Sequence, residues 1–153
     1  MKLLFLTVGK VRDQRIASLI DDYLNRVRRF AQVDWQVVKA SVSTQSRDRA
    51  LQIEGERLLA RLKPDDVVVL LDEKGARWDS VQLARWLGEQ RAVAPRVVFV
   101  VGGPWGTWDR LQRRADVALA LSPLTLQHDL ALLVLAEQIY RAFTILSGHP
   151  YHK

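Results

Sequence analysis

The chain has 153 residues and a net charge of +6; 48% of it is apolar, 26% is charged, and it has no cysteine. That balance is one soluble domain with a core of its own, and it excludes disulfides, thiolate metal sites and cysteine nucleophiles. The positive charge favours an anionic partner, nucleic acid being the commonest. The opening run Leu3 to Val8 is too short for a signal peptide and no stretch approaches a bilayer span of ~20 apolar residues, so a cytoplasmic protein without a membrane partner is expected.

Residues 2–8 read as a first strand ending at Gly9-Lys10. Ile16, Leu19, Ile20, Tyr23, Leu24 and Val27 recur at helical spacing and mark one face of an amphipathic helix. Trp35 to Lys39 reads as a second strand and Ser46 to Leu62 as a second helix, closed by Pro64. Val67 to Leu71 is apolar at every position, as in a strand covered on both faces. Asp79 or Ser80 caps a third helix bearing Leu83, Ala84 and Leu87, and Arg96 to Val101 is a fourth strand. A short helix near Trp108 to Arg114 leads to the run Val117 to Leu121, then a polar loop, Ser122 to Gln127, and a long helix from His128 to Ser147. Strands alternating with helices predict one α/β domain over residues 1–153, a mostly parallel sheet covered by helices. The last helix is apolar nearly all round, and a second copy of the chain, forming a homodimer, is the simplest cover for its surplus face.

Four segments carry residues suited to chemistry. The run Val100-Val101-Gly102-Gly103-Pro104-Trp105-Gly106 follows a strand, where open α/β sheets bind ligands and where glycine lets backbone approach a ligand; a tight turn explains it equally well. It fits neither G-x-G-x-x-G nor the phosphate loop G-x-x-x-x-G-K-[ST], leaving a Rossmann dinucleotide site and a P-loop unsupported. Asp72 and Glu73, after the third strand, read as an acid/base pair or as a solvated turn. Ser122 to Gln127 reads as a backbone ligand loop or a plain connection. The ending Gly148-His149-Pro150-Tyr151-His152-Lys153 gathers groups able to move protons and to stack on bases. Three histidines without cysteine argue against a metal site.

These segments resemble the RlmH (YbeA-like) family, the large-subunit ribosomal RNA pseudouridine N3-methyltransferases of the SPOUT class. The resemblance runs from Met1 to Lys153. It is carried by Ile53-Glu54-Gly55-Glu56-Arg57-Leu58-Leu59, Leu71-Asp72-Glu73-Lys74-Gly75, Gly102-Gly103-Pro104, Leu121-Ser122 with Leu124-Thr125, Ala136-Glu137-Gln138-Ile139-Tyr140-Arg141-Ala142, and most specifically by the last six residues. It implies a deep trefoil knot in the C-terminal half, S-adenosylmethionine bound bent within it and no metal, and a homodimer whose active site draws on both chains. The implied substrate is a pseudouridine of large-subunit RNA on the assembled ribosome, methylated at N3. Carried over by position, Leu71, Asp72, Gly102, Gly103, Ser122, Pro123, Leu124, Thr125, Leu126 and Gln127 hold the methyl donor, and Arg141, Tyr151 and His152 are catalytic or contact RNA. His152 or Tyr151 takes the N3 proton, Arg141 holds phosphate or polarises a base carbonyl, and Glu137, one turn before Arg141, braces it.

The chain departs from the family pattern at three positions. Trp105 replaces a Glu, Gln127 replaces a Pro before His128, and Leu132 replaces an Arg. The last change is expected to remove a cation near the dimer and RNA surface; Trp105 either packs or stacks on a base. Two alternatives stay open: a related methyltransferase with a shifted target nucleotide, and an RNA- or ribosome-binding homologue without catalysis. A small-molecule hydrolase lacks G-x-S-x-G and a Ser/His/Asp set.

Overall fold

The computed structural model describes residues 1–42 and 46–153. Among the described residues five strands and five helices alternate: β1 (Lys2–Val8), α1 (Gln14–Val27), β2 (Gln32–Val38), α2 (Arg47–Leu59), β3 (Val67–Ala76), α3 (Ser80–Val93), β4 (Val97–Val101), α4 (Asp109–Arg114), β5 (Val117–Leu119) and α5 (His128–Ser147). The strands form one sheet in the order β2-β1-β4-β3-β5, and every pairing is parallel. The α/β architecture expected from the sequence is therefore present.

Each inner strand is buried on both faces because side chains alternate across the sheet. Leu3, Phe5, Val97 and Phe99 join one core with α1, α3 and α5. Leu4, Leu6, Val98 and Val100 join a second core under α2 and α4. The helices start where their capping residues dictate. Asp13 accepts from Arg15 N–H, Ser46 from Arg49 N–H, and Asp79 shares a reciprocal capping box with Gln82.

Several boundaries differ from the sequence reading. β2 begins at Gln32 rather than Trp35, because Lys2 to Val8 pair residue for residue with Gln32 to Val38; the polar Gln32 and Asp34 hide that extent from a search for apolar runs. α2 ends at Leu59 rather than Leu62. The chain tightens there through bonds from Arg61 N–H to Leu58 C=O and from Leu62 N–H to Leu59 C=O, the shorter-period turn common at helix ends. The turn expected at residues 72–75 is a bulge within β3: Leu71 and Ala76 both pair with Leu119.

α5 corrects two further expectations. It is long and apolar enough, by length and composition, to cross a membrane, so such a stretch does exist in the chain. In this fold it is a core helix packed against α1 and α3, with Leu132, Leu135, Ile139 and Phe143 buried. Leu132 is 2% exposed, so its replacement of a family arginine fills the core and does not alter a surface. What α5 leaves uncovered is narrower than its sequence implied: Leu130, Val134 and Leu146 are its exposed large apolar residues.

Candidate active site at two ends of the chain

The three segments expected to hold a methyl donor leave the carboxyl ends of β3, β4 and β5, which are neighbours in the sheet. Residues 71–76, 102–106 and 122–127 are thereby brought to one edge by topology alone. Two of them touch: Thr125 Oγ1 donates to Glu73 Oε2 at 2.6 Å. Asp72 turns away and accepts from Lys74 N–H at 2.9 Å. The adjacent acids thus diverge, and they do not form an acid/base pair.

Glycine is required here by contact. A Cβ on Gly75 would stand 2.6 Å from the Ala118 carbonyl carbon, and one on Gly102 would stand 2.7 Å from the Gly106 carbonyl oxygen. Gly103 and Gly106 close a tight turn with a bond from Gly106 N–H to Gly103 C=O at 3.1 Å, and Gly106 takes a φ of 95° that side chains disfavour. Trp105 sits at the tip of this turn, 43% exposed. Among the described residues, the backbone from Leu121 to Leu126 makes no backbone–backbone hydrogen bond; Leu124 N–H turns to the Ser122 hydroxyl. The remaining amides and carbonyls are free for a ligand. Gln127, the third departure from the family pattern, caps α5: its Oε1 accepts from the N–H groups of Asp129 and Leu130, both at 3.0 Å. Pro123 and Leu126 lie within the loop, and Leu124 is its exposed large apolar residue.

Glu54 of α2 also reaches this edge, and sequence reasoning did not mark it as a site residue. Its Oε2 accepts from the N–H and the hydroxyl of Ser41, both at 3.0 Å. Its Oε1 is buried without a partner, and no other side-chain atom among the described residues is. That oxygen lies 3.0 Å from where a Cβ on Gly103 would be. The signal for such burial is the next residue. Gly55 lets the Trp108 ring sit where its Cβ would be, 2.6 Å away, so this face of α2 is turned inward.

The residues expected to act on RNA assemble elsewhere. Gly148 closes α5 with a φ of 71°, and the chain turns back with a bond from His149 N–H to Thr144 C=O. Tyr151 and His152 then lie against the helix. Arg141 donates to Glu137 Oε1 through Nε (3.1 Å) and Nη2 (2.6 Å). The Tyr151 hydroxyl donates to the same oxygen at 2.9 Å. His152 Nδ1 lies 3.2 Å from Arg141 Nη1, and the Arg141 guanidinium stands over the Tyr151 ring at 4.8 Å. The expected brace of Arg141 by Glu137 is present, and Glu137 holds Tyr151 as well. Burial first, and then the bond to Glu137, push the Tyr151 phenol well above its ordinary range. It stays protonated at any physiological pH and is a donor, not a base.

These two clusters stand at opposite ends. The amino end of α5 lies by Val8, Gly9 and Gly102 at the carboxyl ends of β1 and β4, beside a cavity of about 10 Å³, water-sized. Arg141 is thirteen residues further along the helix, about 20 Å at ~1.5 Å per residue. There Tyr140 meets Phe30, just before β2 begins. Next to it is an open groove of about 860 Å³ lined by Met1, Lys2, Arg28, Arg29, Phe30 and Asp34, among others. One carboxylate thus faces three basic side chains.

With this geometry in place, the relationships of the chain are informative. The family profile described as "Predicted SPOUT methyltransferase" matches residues 1–152, so the chain belongs to the SPOUT methyltransferases, and its fold is that of a methyltransferase of that class. A protein of Gemmatimonas aurantiaca, named ribosomal RNA large subunit methyltransferase H, is 44% identical, covering 100% of both chains. One of Bacteroides thetaiotaomicron with the same name is 39% identical, covering 99% of both. Among solved structures, a probable methylase family protein from Haemophilus influenzae superposes with a TM-score of 0.58 at 14% identity, covering 99% of this chain and 70% of that one; that likeness speaks for the fold alone.

Proposed function

We propose that this enzyme transfers a methyl group from S-adenosylmethionine to N3 of a pseudouridine in large-subunit ribosomal RNA, as a homodimer acting on the assembled ribosome. The observation that carries the reading is the meeting of three glycine-bearing or unpaired loops at one sheet edge, from adjacent strands, in a chain related over its full length to methyltransferases so named. The residues suit the donor. The loop from Ser122 to Leu126 leaves backbone groups unpaired for an adenine and ribose, the glycines Gly102 and Gly103 allow backbone to come close, and Leu71, Asp72 and Gln127 border the same edge. The contacts of Ala118 with Gly75 and of Thr125 with Glu73 support a tightly threaded C-terminal half, as a knot requires.

Two chains are needed for a complete site. Arg141 lies about 20 Å along α5 from the helix's amino end, and Tyr151 and His152 fold back onto Glu137 and Arg141, away from Gly102 and the start of α5. A second copy covering Leu130 and Val134 on α5 would bring its tail to the loops of the first. The uneven groove of Lys2, Arg28 and Arg29, continuous with that tail, suits RNA phosphates.

The donor, when bound, supplies an electrophilic methyl on a sulfonium. The protein must place the acceptor in line with it and take the N3 proton. In the resting arrangement Arg141 donates to His152 Nδ1, which leaves the imidazole proton on Nε2. When Arg141 turns to an RNA phosphate, Nδ1 is released and accepts the N3 proton, directly or through one water. Tyr151, held as a phenol, keeps Glu137 and Arg141 in register. Calorimetry with S-adenosylmethionine and mass mapping of ribosomal RNA after single turnover test this. Donor binding with one new methyl on a large-subunit pseudouridine is expected. Absence of donor binding would leave only a scaffold, and a methyl elsewhere would mark a shifted target.

A further inference from the structure

A carboxylate oxygen buried without a partner is costly, because the water it gave up is not replaced by a donor. Glu54 is 4% exposed, and its Oε1 bears that cost at the donor edge. Its other oxygen is anchored by two bonds from Ser41, so the side chain is held and the free oxygen has a fixed aim. That aim is the Gly102-Gly103 turn, with Val8 alongside. Ser41 needs only one oxygen, and a glutamine would serve it equally; the second oxygen, by its position, answers to the turn. No ligand atom reaches it while the turn stands as it does, because the oxygen is buried. What it faces is the backbone of the turn, where Gly103 is bridged to Gly106, so the Gly103 N–H comes to it only when the turn rearranges and gives up that pairing.

We infer that Glu54 is a positioning residue for methyl-donor binding: its free carboxylate oxygen takes the Gly103 N–H when the Gly102-Gly103 turn closes on the donor. The inference rests on the proposed function, which places the donor in that turn. The cost of the unpaired oxygen in the free enzyme is relieved on binding, so it becomes part of the donor's affinity. The isosteric Glu54→Gln variant separates this role from a structural one. Its carbonyl oxygen keeps the Ser41 bonds while its amide presents N–H groups, not an acceptor, to the turn.

The probe is S-adenosylhomocysteine, titrated into the full-length protein by calorimetry, with thermal unfolding measured in parallel and the Gly103 amide proton followed by NMR. In the wild type the Gly103 amide moves downfield on binding, as a new charged acceptor demands. Glu54→Gln is expected to melt no lower than the wild type, to bind roughly 10-fold more weakly, the loss of one bond to a charged acceptor, and to lose the Gly103 shift. Its KM for the methyl donor rises while kcat changes little. Wild-type affinity in a folded Glu54→Gln, or a Gly103 amide that does not move in the wild type, overturns the inference. The second readout decides the matter even if the variant fails to fold. A wild type that ignores S-adenosylhomocysteine would instead overturn the proposed function.

Discussion

The carboxyl edge of the sheet and the far end of α5 do different work with different materials. The edge is built of glycines, backbone and short loops, and its precision comes from strands that are buried on both faces and cannot shift. The far end is built of long charged and aromatic side chains on one helix and a tail, held by a single acceptor, Glu137 Oε1. On the proposed function, one end recognises through shape and backbone bonds, the other through charge, ring faces and proton transfer. On that same reading neither is a complete site, and the proposed dimer is what joins the two.

The largest effect should come from separating the two ends genetically. Gly102→Val pushes side-chain carbon into the Gly106 carbonyl and Thr107 and should abolish donor binding. His152→Ala leaves donor binding intact and should slow methylation by about 100-fold or more. Mixed and reannealed, the two inactive proteins should recover roughly a quarter of wild-type sites, because half of randomly formed dimers pair one of each and hold one intact site in two. No recovery in a sample proven to contain mixed dimers would mean that each chain works alone.

The second effect tests what holds the amino edge, where the tail cluster sits. Asp66 accepts from Arg96 through both nitrogens, at 2.8 and 2.6 Å, and from Lys63 N–H at 2.7 Å. Burial, the strongest single influence, pushes its carboxyl up, but these bonds outweigh it and the net shift is downward. A carboxyl lowered by folding contributes stability above its unfolded pKa and loses it as pH falls through the folded value. Unfolding by urea should therefore be easier near pH 3 than near pH 7, and Asp66→Ala should cost about 3–5 kcal/mol at neutral pH by stranding Arg96. The carboxyl edge should keep its donor affinity until global unfolding. Donor binding that fades before the urea transition would mean the two ends are not independent.

A third, smaller effect concerns Trp105. It is 43% exposed at the turn's tip, which leaves part of its ring open to stack on a base. Trp105→Ala should weaken RNA binding by about 1–3 kcal/mol while changing stability by no more than about 0.5 kcal/mol. Equal RNA affinity in a filter-binding titration would leave the exposed ring unexplained.

Much of this was legible in the chain. The alternation of elements, the doubly buried strands Val67 to Leu71 and Val97 to Val101, and the loops at the carboxyl ends follow from periodicity and glycine placement. The residue types of the tail were visible too. What a linear reading misses is burial that contradicts residue type. Glu54 on a helix reads as solvent-facing, and only the sheet's geometry turns it inward. Leu132 reads as a lost surface cation, and packing makes it core. Gln32 and Asp34 interrupt a hydrophobic run at the sheet edge, where one face is wet, so β2 begins earlier than its apolar residues suggest. The separation of Arg141 from the donor loops is likewise a matter of where a 20-residue helix points.

Gln127 gives the smallest effect and the finest test of the carboxyl edge. The family's proline is replaced by a residue whose side chain caps α5, so two different devices fix the same corner. Gln127→Ala removes the acceptor for Asp129 and Leu130 N–H and should cost about 1 kcal/mol. Gln127→Pro removes it too, but the position already has a φ of −59°, close to the value proline imposes, and among the described residues its N–H makes no backbone hydrogen bond. Proline then gains about 0.4–1 kcal/mol by restricting the unfolded chain, which offsets most of the lost cap. The proline variant should melt above the alanine variant and near the wild type. If proline proves the more damaging of the two, the corner depends on the capping bonds alone, and the loop before α5 is not preset by its backbone.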